Sequence, residues 1–317
     1  MGKYRSNLPQ LAGKFFLTDG GMGTTLIFHK GIDLPHFCAF HLLNDKAGLE
    51  TLHEYFRSYA AIARDCGLGL ILDSGPTWRA SADWGNKLGY SHEALEKANR
   101  KAIDMLSEIR EEFENENTWV VISGCMGPRG DGYEPGRMMT SQEAQRYHAE
   151  QIETFSSTIA DQVTAMTMTY AEEAIGIIRA AQAADLPAII SFTVEIDGRL
   201  PTGQTIGDAI NTVDDATAGG AAYYMINCAH PTHFINALSN KASWTARIKG
   251  VRLNASTLSH AELNEAEDLD DGDPVELGAL VSNIHNTFPH INVVGGCCGT
   301  DTRHIREFAA HIKDLPA

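Results

Sequence analysis

The sharpest chemical signal lies near the end of the chain, where Gly295-Gly296-Cys297-Cys298-Gly299-Thr300 follows a short apolar run. Neighbouring side chains on a regular strand point to opposite faces, so adjacent thiols cannot reach one point from it. Flanking glycines relax that restriction, because Gly adopts backbone conformations closed to other residues. A third thiol, Cys228, closes another apolar run, Met225-Ile226-Asn227-Cys228. Three thiolates suit a tetrahedral zinc ion at ~2.3 Å with its fourth position open, as catalytic zinc sites keep it. Such a centre carries one net negative charge. It generates hydroxide poorly but suits a fourth, soft thiol, which it would deprotonate at neutral pH. The chemistry this predicts is attack by a substrate thiolate on an electrophilic carbon. Two plainer readings fit the same residues: a vicinal disulfide between Cys297 and Cys298, and packing of Cys228 as a small core residue.

Such convergence needs elements that end on one face. Apolar runs occupy residues 15–19, 69–73, 119–124, 162–167, 188–193, 223–228, 250–254 and 291–295. Most are continuous rather than alternating, as expected of parallel strands covered by helices. Helical periodicity fills 52–65, 92–113, 142–159, 171–184, 206–217, 274–286 and 302–312. Ser91 and Ser141 read as helix caps, and Gly67 as a helix stop. The spacings allow a βαβ crossover each time. They predict a (β/α)8 TIM barrel, one domain across residues 1–317. An open doubly wound sheet is the alternative, weakened because no GxGxxG follows the first run. In the barrel, strands six and eight end on the same face, so Cys228, Cys297 and Cys298 meet over its mouth.

Two stretches interrupt the rhythm. Residues 127–140, rich in Gly and Pro, follow strand three on the face where barrel active sites form. Residues 260–273 are strongly acidic and read as a solvated loop. Cys38, Cys66 and Cys125 read as packing residues, with Cys125 placed to line the mouth.

Composition narrows the partners. The 317 residues carry 25 basic and 41 acidic side chains, a net charge of −16. That balance disfavours nucleic acid and anionic membranes, and it fits small cationic molecules. No apolar run approaches the ~20 residues a membrane span needs. No targeting signal opens the chain, which places it in the cytoplasm. Six cysteines are too sparse for a disulfide scaffold. Monomer and oligomer are equally open.

Asp19-Gly20-Gly21-Met22-Gly23-Thr24, Asn227-Cys228 and the run from Gly295 to Gly299 together resemble the homocysteine S-methyltransferase family, over nearly the whole chain. The resemblance implies a zinc-dependent barrel with Cys228, Cys297 and Cys298 as ligands. It implies Asn254 as an oxygen ligand when substrate is absent. Asp19 and the Gly20 backbone would hold the amino-acid head group of the thiol. One departure stands out. Where the family carries Glu followed by Thr after strand four, this chain has Met166-Thr167. A thioether cannot hold an ammonium, so Glu195, past strand five, is expected to return a carboxylate. Trp78, Trp84 and Tyr133 are candidates to face a cationic methyl donor. The expected reaction moves methyl from S-methylmethionine, S-adenosylmethionine or betaine to homocysteine, giving methionine. The chain ends soon after the cysteine pair, which favours a small diffusible donor over a tethered corrinoid. The rivals are the same chemistry on another thiol, and a non-catalytic zinc-binding subunit or thiol sensor.

Overall fold

Eight parallel strands close into a barrel in chain order. The computed structural model describes residues 1–239, 242–266, 268–313 and 315. The strands are β1 (Phe16–Leu17), β2 (Gly69–Asp73), β3 (Val120–Met126), β4 (Gln162–Met168), β5 (Ala188–Phe192), β6 (Tyr223–Ala229), β7 (Ile248–Leu253) and β8 (Val293–Gly296). Their continuous apolar runs are buried on both faces, one against the barrel interior and one against helices. The expected TIM barrel is therefore the observed fold.

The lower interior is apolar. Phe16, Ile71, Val121, Ile189, Tyr223, Met225 and Val293 pack together there. The N-terminal segment closes this end, with Leu8 in the same cluster and Gln10 Nε2 donating to Gln162 Oε1 at 2.7 Å. Two residues further along the strands the interior turns polar: Asp73, Ser123, Thr164, Ser191, Asn227 and Arg252 are all buried. Side chains two apart share a face, so these residues form the floor of the mouth.

The outer helices are α1 (Lys46–Cys66), α2 (His92–Phe113), α3 (Ser141–Ser156), α4 (Ala171–Ala183), α5 (Ile206–Thr217), α6 (Pro274–Thr287) and α7 (Thr302–Ile312). Gly67 ends α1 with φ of 66°, and Ser91 caps α2 by accepting from Ala94 N. The cap of α3 is Thr140 rather than Ser141. Thr140 and Glu143 exchange bonds in a capping box, which places the boundary one residue earlier. Between β6 and β7 only short turns such as Pro231–Phe234 replace a long helix among the described residues. No helix among them is long and apolar enough to cross a membrane.

Candidate active site

The three predicted cysteines meet. The sulfurs of Cys228, Cys297 and Cys298 all lie within 4.8 Å of one another, a cluster able to hold a metal ion. Cys228 and Cys297 are joined as a disulfide in this structure, so the pairing runs between strands and is not the vicinal one. Cys298 is free and exposed, and its sulfur lies 3.8 Å from that of Cys228. The glycines are needed at two places for different reasons. Gly296 has no room for a Cβ beside Thr300 Oγ1, and Gly299 turns with φ of 79°. Asn254 follows β7; its Nδ2 donates to the Cys228 carbonyl at 3.2 Å, while its Oδ1 is buried without a partner.

Cys228 reaches the cluster through an irregular backbone. Its φ is 54°, and Thr167 on β4 has φ of 64°. A β-branched residue in the left-handed region is strained and needs its surroundings to hold it. Both sites coincide with register shifts, on β4 between Ala165 and Met168 and on β6 between Asn227 and Ala229. Asn227 braces both. Its Nδ2 donates to Thr167 Oγ1, and its Oδ1 accepts from Thr167 N at 2.9 Å and Ser191 Oγ at 2.6 Å. The sequence motif contained Asn227, but only the fold shows what it joins.

Three loops cover the sulfurs. Tyr133, from residues 127–140, donates its hydroxyl to Cys228 Sγ at 3.3 Å and lies 3.8 Å from Cys298 Sγ. Its ring packs on His260 with centroids 4.2 Å apart. His260 approaches the Cys228 carbonyl through Nε2 at 2.6 Å and Glu195 Oε1 through Nδ1 at 3.1 Å. Glu195 is thus joined to the site through His260, and its first oxygen is engaged there. His260 itself went unrecognised. It lies in the acidic stretch read as a solvated loop, which instead opens with a short helix, His260–Glu265, fixed by a Ser259–Glu262 capping box. Further along, Asp270 accepts from Ser256, Asp271 from Arg303, and Asp273 caps α6. Glu267 lies outside the described residues.

Beneath the sulfurs sits a buried charge cluster. Arg252 on β7 crosses the side-chain-free Gly295 and Gly296 of β8 to reach two carboxylates. Its Nη2 donates to Asp19 Oδ1 at 2.5 Å and its Nη1 to Asp73 Oδ2 at 3.0 Å. Tyr55 of α1 donates to Asp19 Oδ2 at 2.8 Å. Each Asp19 oxygen therefore already accepts a bond from within the protein, and the carboxylate expected to hold an ammonium pairs with a guanidinium. Burial pushes the Asp73 carboxyl up, opposed by Arg252. It likewise pushes the Cys125 thiol well above its ordinary value. Cys125 is buried and free, as are the packing residue Cys38 and, half-buried, Cys66.

The remaining candidates divide. Met166 is buried on the inward face that continues from Thr164, and its carbonyl accepts from Trp78 Nε1 at 3.3 Å. Trp78 is half-buried beside it. Trp84 is not open to a donor: Arg79 Cζ lies 3.9 Å and Lys87 Nζ 3.7 Å from its ring centroid, so the chain supplies its own cations. His230 caps the turn Pro231–Phe234, and His233 bonds the Thr257 carbonyl; neither joins the sulfurs.

Comparison with known proteins agrees with this fold. No curated protein sequence matches the chain. Among solved structures it resembles the Escherichia coli homocysteine methyltransferase MmuM. Against the metallated form the TM-score is 0.72 at 16% identity, covering 96% of this chain and 98% of that one. Against the oxidized form it is 0.73 at 18% identity, covering 97% and 98%. The sequence model for homocysteine S-methyltransferase matches residues 16–312, from the first residue of β1 to the last of α7. A match over the whole barrel, with three sulfurs gathered at its mouth, places the chain in the homocysteine S-methyltransferase family and makes it a methyltransferase.

Proposed function

We propose that the chain transfers a methyl group from a small sulfonium or quaternary ammonium donor (S-methylmethionine, S-adenosylmethionine or betaine) to homocysteine, giving methionine, with zinc as its metal. The carrying observation is the sulfur cluster at the barrel mouth. Sulfurs bound tetrahedrally to one zinc at ~2.3 Å stand about 3.8 Å apart. The Cys228–Cys298 separation of 3.8 Å fits that spacing, and Asn254, bonded to the Cys228 carbonyl and with its Oδ1 unpartnered, would offer an oxygen to the metal. Cys228, Cys297 and Cys298 would hold the ion once the disulfide is reduced. Zinc supplies a site where a substrate thiol is held as its thiolate at neutral pH.

The chain's own residues do the rest. The loops carrying Tyr133, Glu195 and His260 would shield bound substrates from water, which strengthens attraction between a thiolate and a cationic methyl group. The barrel fixes the line of approach, a gain that comes from orientation. Of the aromatic candidates, Trp78 and Tyr133 remain beside the mouth, and Tyr133 reaches the sulfurs. The net charge of −16 favours the arrival of cations.

A second reading has its own observation. Met166 stands where a carboxylate was expected, and Asp19 is occupied by Arg252 and Tyr55. The acceptor is then a thiol without an ammonium to be gripped. One experiment separates the readings. Reduced, zinc-loaded protein is incubated with a panel of thiols and methyl donors, and products are identified by mass spectrometry. Methionine from homocysteine supports the first reading, and turnover of other thiols alone supports the second. Bound zinc with no turnover in any pair overturns both. If homocysteine is the acceptor, Glu195→Gln raises its KM; an unchanged KM removes Glu195 from the head group.

A further inference from the structure

Tyr133, Glu195 and His260 come from three loops beside the sulfur cluster; Tyr133 touches the sulfurs, and His260 touches the other two side chains. Cys228 carries a left-handed backbone, with φ of 54°. A non-glycine residue stays in that region only when its neighbours hold it. Its carbonyl is the handle. Asn254 Nδ2 donates to it at 3.2 Å, and His260 Nε2 lies 2.6 Å from it. A carbonyl and a carboxylate both only accept, so the ring donates from Nε2 to the Cys228 carbonyl and from Nδ1 to Glu195. Glu195 Oε1 stands 3.1 Å from the opposite ring nitrogen, which sets the rotation of the imidazole. The same ring packs against Tyr133, whose hydroxyl donates to Cys228 Sγ at 3.3 Å.

We propose that His260 is a positioning residue of the metal centre, fixing the backbone of Cys228 and carrying the Tyr133 hydroxyl over the sulfurs, with Glu195 fixing its own orientation. The inference rests on the reading that the three cysteines hold a metal. One imidazole thus controls both where a ligand sulfur sits and how much of its charge a hydrogen bond withdraws. Partners of this kind around a metal site typically change affinity ~10–100-fold. One acidic neighbour serves His260: the Ser259–Glu262 capping box anchors the turn that carries the ring.

The test uses the full chain, reduced and metal-free, titrated with zinc against a chromophoric chelator and separately with cobalt(II). The His260→Ala variant is expected to bind zinc about tenfold more weakly. Its cobalt–thiolate absorption bands should shift, while the melting temperature of the metal-free protein stays near that of wild type. His260→Gln, which keeps an amide donor for the carbonyl, should recover most of the affinity. Tyr133→Phe removes one hydroxyl and should shift the cobalt bands even if His260→Ala fails to fold. Wild-type zinc affinity and unchanged cobalt bands in His260→Ala, or in Tyr133→Phe where His260→Ala does not fold, overturn the proposal. A wild-type protein that takes up no zinc overturns the metal reading instead, and the two failures are distinct.

Discussion

The barrel has two interiors on the same strands. Below, Ile71, Val121, Ile189 and Met225 pack against one another as apolar surface. Two residues above each stand Asp73, Ser123, Ser191 and Asn227, equally buried but polar. Burying a polar group costs free energy unless it is hydrogen-bonded, so the upper layer exists only because its partners are supplied. Asn227 binds Thr167 and Ser191, and Arg252 binds Asp19 and Asp73. The lower layer can be filled by any shapes that pack. The upper layer is a set of specific pairs, and the sulfurs sit on it. Changes above should alter metal binding or break pairs, whereas changes below should cost only packing.

The largest effect is expected at the sulfurs themselves. Cys298→Ser should lose most bound zinc and with it methyl transfer, leaving the stability of the metal-free protein as it was. Metal analysis of the purified variant checks this, and retention near one zinc per chain sinks the three-cysteine site. Oxidised protein should behave alike, because the Cys228–Cys297 disulfide withdraws two thiolates at once. A thiol reductant that opens the bond should restore zinc uptake.

Next comes Arg252, the upper-layer residue with the greatest structural burden. It is 8% exposed and faces two carboxylates. Removing one partner of a buried ion cluster strands the others, at ~3–5 kcal/mol. Arg252→Met should lose about that much in urea denaturation. Adding Asp19→Asn and Asp73→Asn should recover most of the loss, because the stranded charges are gone. An unchanged midpoint for Arg252→Met would show that the cluster is solvated. By contrast Ile71→Val, directly below Asp73, should cost ~0.5–1.5 kcal/mol and leave zinc affinity untouched. A measurable loss of zinc affinity there would blur the division between the two layers.

That division also explains what the sequence disclosed. The strands were legible because each buries both faces, and runs such as Val120–Ile122 and Ala188–Ile190 are apolar throughout. The cysteines were legible because they close such runs, and barrel strands end together. Arg252 was not, since its meaning lies in Asp19 and Asp73, brought near only by barrel closure. Nor was the backbone of Thr167 and Cys228: positive φ in residues other than glycine leaves no mark in composition. His260 was hidden by its acidic neighbours, which spoke for solvent while its ring turned inward.

The smallest expected effect tests the upper layer by titration. Burial, the largest cause, raises the Asp73 carboxyl above its ordinary value of 3.8, and Arg252 opposes it. A carboxyl raised on folding binds its proton more tightly in the folded state than in the unfolded one. Its contribution to stability is therefore fully present below the ordinary value and is lost as pH rises through the folded one. Asp73→Asn removes that contribution and leaves the common carboxylates in place. The stability of wild type minus that of Asp73→Asn should fall as pH rises from below 3.8, and then level off. Urea midpoints of both proteins across that range measure it. A difference that grows with pH would mean Arg252 dominates and holds Asp73 ionised, so that the floor of the mouth is set by the ion pair rather than by burial.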